Sequence, residues 1–346
     1  MHHDFAFIQT SPGRLFAGWG PFEALPFRRP GRPAFFATDF FLDDARPWLH
    51  PARWDEITVG ELAAMFEQAP VEAEWSPPPD EAFQALFRSA AEGIDRGDFK
   101  KIVPVVFEEG RLTRSLAPWR YFLSRLEPLP RGLWAYGWSN RGRASIGATP
   151  EVLFQTHGRG YKTMALAGTR PMMRSDELLR SPKEMREHRL VVDDIARRLA
   201  PFGNVEIGAL GIMTLPGIAH LITPIFFMEN GIEPMTFADM VRRLHPTAAL
   251  GVSPRSEKGE RWLRESDRLV DRRTFGAPFG LERDDAFALA LVGIRNVEWE
   301  GDLLRIGSGA GLISDSVLEQ EIEELWQKRD QVKALFGLRA PVEAYI

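Results

Sequence analysis

The sequence predicts an α+β domain of large antiparallel sheets with helices packed on their outer faces, and three observations carry that reading. From about 133 to 168, short apolar runs alternate with turn clusters: LWAYGW, SNRGR, ASIGATPEVLFQ, THGRG, YKTMALAGT. A second hairpin series comes late, AFALALVGIRNVEW and LLRIGSGAG around the turn EGD. Segments of helical periodicity lie between and after these strand blocks, the pattern of helices layered onto a sheet.

The 346 residues are 44% hydrophobic and 26% charged, enough for one large domain or two medium ones. With 43 Lys+Arg against 48 Asp+Glu the net charge is −5, which disfavours a general attraction to nucleic acid. There is no cysteine. Disulfides, thiolate zinc sites, iron–sulfur clusters and a cysteine nucleophile are therefore excluded, and any metal must take oxygen or histidine ligands. The opening MHHDFAFIQTSPG lacks the basic and apolar segments of a secretory signal, and AFALALVGI is too short to span a bilayer. A cytoplasmic protein without membrane contact is expected.

Taken in order, Pro77–Pro79 reads as a stiff connector between residues 1–75, a short N-terminal part of the same fold, and a catalytic region 76–346. Asp80 caps a helix whose apolar positions are Phe83, Leu86, Phe87 and Ile94, ended by RGD at 96–98. KKIVPVVFEEGRL reads as a strand reaching a turn at Gly110, with Pro104 marking an edge or bulge. Lys100 and Lys101 are adjacent on it and point to opposite faces, so only one can face inward. An inward lysine could act as a base; both reaching water is the plainer reading. Glu151, between Pro150 and the apolar VLF, could be a surface turn residue. The run ERWLRESDRLVDRRTF reads as a solvated helix face.

Ser181-Pro182-Lys183-Glu184 has the N-cap, first-turn proline and third-position glutamate of a helix start, with the helix running to about Ala200. Glu184 is thereby explained as a capping residue. Glu187 is not, because steps of four from it give Val191, Ile195 and Leu199, which puts a carboxylate at the end of an apolar stripe. The last helix begins near Asp315 and Ser316 and ends at Gly337, with Val317, Leu325, Val332 and Leu335 on one side. Glu321, Glu324 and Lys328 fall on that same side. A solvated flank would explain them singly. Two E-x-x-E pairs, each abutting an apolar stripe, point instead to convergent acids around a hard cation, and oxygen-only ligation suits magnesium.

Both faces of AFALALVGIRNV are apolar, so Arg295 at its end must meet an anion, either a structural carboxylate or a ligand. The return strand ends in GSGAG, Gly307 to Gly311, where bare backbone could point N–H groups at a carboxylate.

Together these residues make the chain resemble the chorismate-binding enzymes: anthranilate synthase component I, aminodeoxychorismate synthase component I, isochorismate synthase and salicylate synthase. The resemblance covers about residues 80 to 335 through GDFKKIV, IGATPEVLF, ALAGTRP, SPKEMREH, IAHLIT, LHPTAALGVSPR, GSGAGLISDS and EQEIEELWQK, in that order. It implies an anthranilate synthase component I-like fold with chorismate as substrate and magnesium as cofactor. By resemblance, Lys101 is the lysine that activates water and Glu151 the general acid near the departing C4 hydroxyl. Glu187 and Glu324 become metal ligands with Glu184 and Glu321 beside them, while Arg295, the Gly309 backbone and Lys328 hold substrate carboxylates. His220 and His245 line the pocket, and Thr169 lies in a substrate-facing turn. Ala167 stands where aminodeoxychorismate synthases often carry a nucleophilic lysine, and Lys101 stands where anthranilate synthases generally lack one. Salicylate synthases usually lose the histidine retained here as His245. The resemblance therefore leans to isochorismate synthase, with no glutaminase subunit, in quinone or siderophore synthesis. Salicylate synthase, an ammonia-dependent synthase and a non-catalytic binder remain the alternatives.

Overall fold

The structure, a computed structural model, describes residues 4–76, 78, 80–114, 118–127, 129–231, 235–284 and 286–339; Pro77 and Pro79 of the expected connector lie outside them. Two antiparallel sheets face each other. Among the described residues, one has nine strands in the order Arg53–Ile57, Arg14–Trp19, Phe5–Ser11, Trp134–Asn140, Arg143–Thr149, Asn296–Glu300, Leu303–Gly309, Val105–Arg114, Glu72–Ser76. The ten-stranded sheet runs Gly203–Ile207, Ile218–Glu229, Gly160–Pro171, Val152–His157, Phe287–Val292, Pro278–Asp284, Ala34–Ala37, Trp48–His50, Glu23–Leu25, and Gly211–Leu215 also pairs with Ile218–Glu229. Residues before 75 thus supply strands to both sheets.

Among the described residues the α-helices are α1 (Val59–Ala64), α2 (Asp80–Asp95), α3 (Trp119–Ser124), α4 (Pro182–Leu199), α5 (Phe237–Leu244), α6 (Glu257–Val270) and α7 (Leu318–Leu335). Ile8, Phe16, Phe35, Tyr136, Val152, Phe279, Leu289 and Leu291 fill the space between the sheets. On the outer face of the ten-stranded sheet, α4 and α5 bury Val191, Ile195, Leu199, Met240 and Leu244. On the other outer face, α1, α3 and the end of α7 bury Leu62, Trp119, Phe122 and Val332. Each such side chain contributes about 1.5–3 kcal/mol on leaving water, so the apolar stripes read from sequence are what fasten these helices. The end of α7 is also tied down by charge, since buried Glu108 of the nine-stranded sheet pairs with Arg329 and Lys333.

Several elements differ from expectation for physical reasons. The run from 133 to 168 is not one meander: Trp134–Asn140 and Arg143–Thr149 belong to one sheet, Val152–His157 and Gly160–Pro171 to the other. The late series is split likewise, Phe287–Val292 from Asn296–Glu300. The strand after Lys101 breaks at Val103-Pro104 into Lys101–Ile102, which pairs with Val252–Ser253, and Val105–Arg114. Gly110 is no turn but lies mid-strand, where the Trp75 ring covers it so closely that a Cβ would meet the ring at 2.8 Å. Helix α7 starts at Leu318, with Val317 exposed rather than on the apolar side. Arg272, in the run read as solvated, is buried, stacks 4.1 Å from the Phe40 ring centroid and pairs with Asp267.

Candidate active site

The chain crosses between the sheets at Pro150–Glu151 and again at Gly293–Arg295, and the two crossings are bonded to each other. The Ala148 amide donates to the Arg295 carbonyl at 3.2 Å and the Val292 amide to the Glu151 carbonyl at 3.0 Å. Arg295 takes a left-handed φ of 57°, an uncommon conformation for a non-glycine residue, held by these crossings. Glu151 is no surface turn residue. Its side chain is buried, and burial pushes its carboxyl up to about 7, against the pull of Lys101, a Thr247 hydroxyl contact of 3.5 Å and Lys328. Such a carboxyl can carry a proton near neutrality.

Of the two adjacent lysines, Lys100 is exposed and Lys101 is fully buried. The Lys101 ammonium donates to the Ala248 carbonyl at 2.6 Å and stands 3.3 Å from Glu187 Oε1. Its position comes from the short ribbon with Val252–Ser253.

The two E-x-x-E pairs do converge, and each of the four carboxylates faces its own cation. Glu187 meets Lys101, Glu184 meets Arg170 at 3.4 Å, Glu321 meets Lys183 at 2.7 Å and Glu324 meets Lys328 at 2.6 Å. Glu184 is not spent on a cap: its Oε2 accepts from the Thr169 amide at 3.0 Å, while Ser181 caps α4. Burial, then the neighbouring Glu187, raises the Glu184 carboxyl; burial, then Glu324, raises that of Glu321. Burial pushes up on Glu324 most, but Lys328, Lys183 and Arg295 together outweigh it and hold the carboxyl low. Mutual repulsion among oxygen donors is what a hard divalent cation relieves, so the residues fit magnesium by chemistry. Among the described residues no three acidic or histidine groups stand together as a ready metal cage, because each carboxylate is turned toward a basic side chain.

On the opposite side, Arg295 donates to Gln331 Oε1 at 2.8 Å and to the Lys328 carbonyl at 3.3 Å, with His220 Nε2 3.4 Å away. His220 Nδ1 lies 3.1 Å from the Thr169 hydroxyl, and burial followed by the Arg295 charge drives its basicity well down, so the ring is neutral. Thr169 and His220 face each other across paired strands beside a bulge at Gly168. The Gly309 carbonyl accepts from the Lys328 ammonium at 2.7 Å, and the Ala310 amide goes to the Pro104 carbonyl. That part of the glycine cradle is thus already engaged within the protein.

These groups enclose a cavity of about 70 Å³ lined by Glu151, Ala167, Thr169, Glu187, His220, Phe275, Arg295, Gly309, Glu324 and Lys328, among others. Small-ligand clefts run from about 300 Å³, so admitting a ligand requires some ion pairs to open. Lys101 stands one contact behind the wall, against Glu187 and Gly311. His245 is the exception to the expected set. It does not line the cavity: its Nε2 bonds the Phe40 carbonyl at 2.7 Å, and burial pushes it down to about 3. The ring anchors the loop that carries Thr247 to Glu151 and the Ala248 carbonyl to Lys101. Sequence reasoning missed Thr247, Lys183, Arg170 and Gln331. Only Gln331 carried a usable signal, the next step of the Glu321, Glu324, Lys328 spacing.

Fold and site together define a two-sheet α+β protein whose seam holds a carboxylate cluster beside an arginine and a lysine. A family model described as "Chorismate binding enzyme" matches residues 53–336. The chain belongs to the chorismate-binding enzyme family. It is 30% identical to the salicylate biosynthesis isochorismate synthase of Pseudomonas aeruginosa, over 74% of this chain and 56% of that protein. It is 27% identical to anthranilate synthase component 1 of Methanothermobacter marburgensis, over 82% and 61%. The chain therefore spans little more than half the length of these curated relatives. Among solved structures, the fold is shared with a Bacillus anthracis protein assigned as a 2,3-dihydroxybenzoate-specific isochorismate synthase, at a TM-score of 0.83, 22% identity and 98% of both chains. The menaquinone-specific isochorismate synthase of Escherichia coli gives 0.79 at 18% identity, over 97% of this chain and 89% of that one. No helix of the described residues is long and apolar enough to cross a membrane.

Proposed function

We propose that the protein is a magnesium-dependent isochorismate synthase, converting chorismate to isochorismate by water attack at C2 with loss of the C4 hydroxyl. The observation that carries this reading is the pairing of a buried lysine with a buried, protonatable glutamate beside one small cavity, Lys101 behind Glu187 and Glu151 in the wall. Lys101 takes a proton from the attacking water. Glu151 donates its proton to the C4 oxygen as the C4–O bond breaks, and the ring double bonds shift between the two carbons. Arg295 and Lys328 hold substrate carboxylates, with His220 and Thr169 fixing the arginine side of the site. Magnesium, held by Glu187 and Glu324 with Glu184 and Glu321 beside them, would supply the charge that offsets the crowded acids and the substrate ring carboxylate.

Folded, magnesium-loaded protein should consume chorismate and yield isochorismate; intact chorismate after incubation would overturn the proposal. Salicylate fluorescence would reassign it as a salicylate synthase. Aminated product formed only with ammonia would make it an anthranilate-type synthase, and binding without turnover a non-catalytic relative.

A second expectation concerns Gly311. A Cβ there would lie 2.3 Å from Glu187 Oε1 and 2.9 Å from Lys101 Nζ. Gly311→Ala should weaken magnesium binding about 10- to 100-fold, the effect of disturbing contacts around metal ligands. Calorimetric titration with magnesium checks it; unchanged affinity would free Glu187 from the metal role.

A further inference from the structure

Arg295 is a part-buried cation whose hydrogen-bond partners are all uncharged: the Gln331 amide oxygen, the Lys328 backbone carbonyl and the His220 ring. A guanidinium withdrawn from water is ordinarily matched by a hydrogen-bonded carboxylate. The nearby acids are hydrogen-bonded to other cations, and Glu324 acts on Arg295 only through space. Glu324 is taken by Lys328 at 2.6 Å, and Asp330, beside Gln331 on α7, is held by Arg339 through two contacts.

We propose that Gln331 is a positioning residue for Arg295, a neutral clamp that aims the guanidinium at the substrate cavity while leaving its charge free for a carboxylate of the ligand. The geometry supplies the reasons. Gln331 lies three residues after Lys328 and seven after Glu324, so α7 presents all three along one face. Its bond to Arg295, 2.8 Å, is the shortest of the three that the guanidinium makes. Behind the pair lies a second cavity of about 570 Å³, bordered by Arg295 and Gln331 and by apolar Leu133, Leu215 and Leu335. An untethered arginine side chain has room to swing into it, away from the site. The turn at Gly217, with φ of 80°, lies against the pair, where a Cβ would make an ordinary 3.6 Å contact with the Gln331 amide nitrogen. A glutamate at 331 would hold Arg295 equally well in space but would claim its charge. The neutral amide is therefore the informative feature.

This inference rests on the function proposed above and is tested by Gln331→Glu, a change of nearly equal size, in the full-length protein with magnesium. The KM for chorismate should rise about tenfold or more, the worth of one hydrogen bond to a charged group, while kcat stays within about threefold. The thermal midpoint should hold or rise, because the new carboxylate pairs with Arg295. Gln331→Leu should raise KM as well, by releasing the guanidinium toward the second cavity. A wild-type protein that binds chorismate without converting it is read by calorimetric Kd in place of KM, with the same expected shift. Unchanged KM or Kd in Gln331→Glu, or a loss confined to kcat, overturns this inference alone. Wild-type protein that neither binds nor converts chorismate overturns the proposed function and this inference together.

Discussion

Glu151→Gln should lower turnover of chorismate about 10²- to 10⁴-fold while leaving chorismate binding within a few-fold of wild type, because the amide keeps the shape of the acid but has no proton to give. The expectation rests on the Glu151 environment. Its carboxyl is enclosed, and burial raises it to about 7 against the opposing pull of Lys101, Thr247 and Lys328. A general acid works in its protonated form, so the sign of the pH dependence follows. As pH rises through about 7 the donor form is lost, and kcat/KM should fall on the alkaline side with a midpoint near that value. The residual rate of Glu151→Gln should lack that limb. Rate profiles of both proteins, with calorimetric binding of chorismate alongside, decide the matter; near-normal turnover in the variant would mean that another group protonates the leaving oxygen.

The second large effect is expected at Lys101. Lys101→Ala removes the proposed base and should abolish measurable isochorismate formation, again about 10²- to 10⁴-fold. It should also destabilise the protein, because Glu187 loses the ammonium 3.3 Å away and the Ala248 carbonyl loses its donor. Breaking one side of a buried pair costs about 3–5 kcal/mol when the partner stays charged. Thermal unfolding in the absence of magnesium should therefore shift down. Glu151→Gln leaves this pair intact, so the two variants separate chemistry from stability. Wild-type-like turnover in Lys101→Ala would remove the lysine from the mechanism.

Much of this architecture is readable in the chain because the signals are periodic. The stripe Glu187, Val191, Ile195, Leu199 places a carboxylate at the buried end of α4, and the structure has it there. The 3,4 spacing of Glu321, Glu324 and Lys328 likewise sets them on one face of α7. What periodicity does not encode is which sheet a strand joins. A strand alternates its side chains in the same way in either layer, so the passages at Pro150–Glu151 and Gly293–Arg295 read as parts of single apolar runs, ASIGATPEVLFQ and AFALALVGIRNVEW. The ion partners were hidden for a related reason. Lys183 and Glu321 are 138 residues apart, and Lys101 reaches a carbonyl 147 residues away, so no local spacing announces them. Gly110 misled in the other direction, since a glycine beneath a tryptophan ring carries the same letter as a glycine in a turn. His245 shows that a motif position can survive in sequence while its side chain serves the frame around the chemistry.

The mutual bonding of the two crossings has a mechanical consequence. Glu151 and Arg295 sit on adjacent stitches that join the layers of a sandwich, and the stitches are fastened to each other by the Ala148–Arg295 and Val292–Glu151 bonds. When the layers slip or breathe, both stitches are carried along as one piece. The spacing between acid and arginine is thereby buffered against motion in the apolar filling around Phe279 and Leu291, which can loosen the protein without blurring the part of the site that must stay in register.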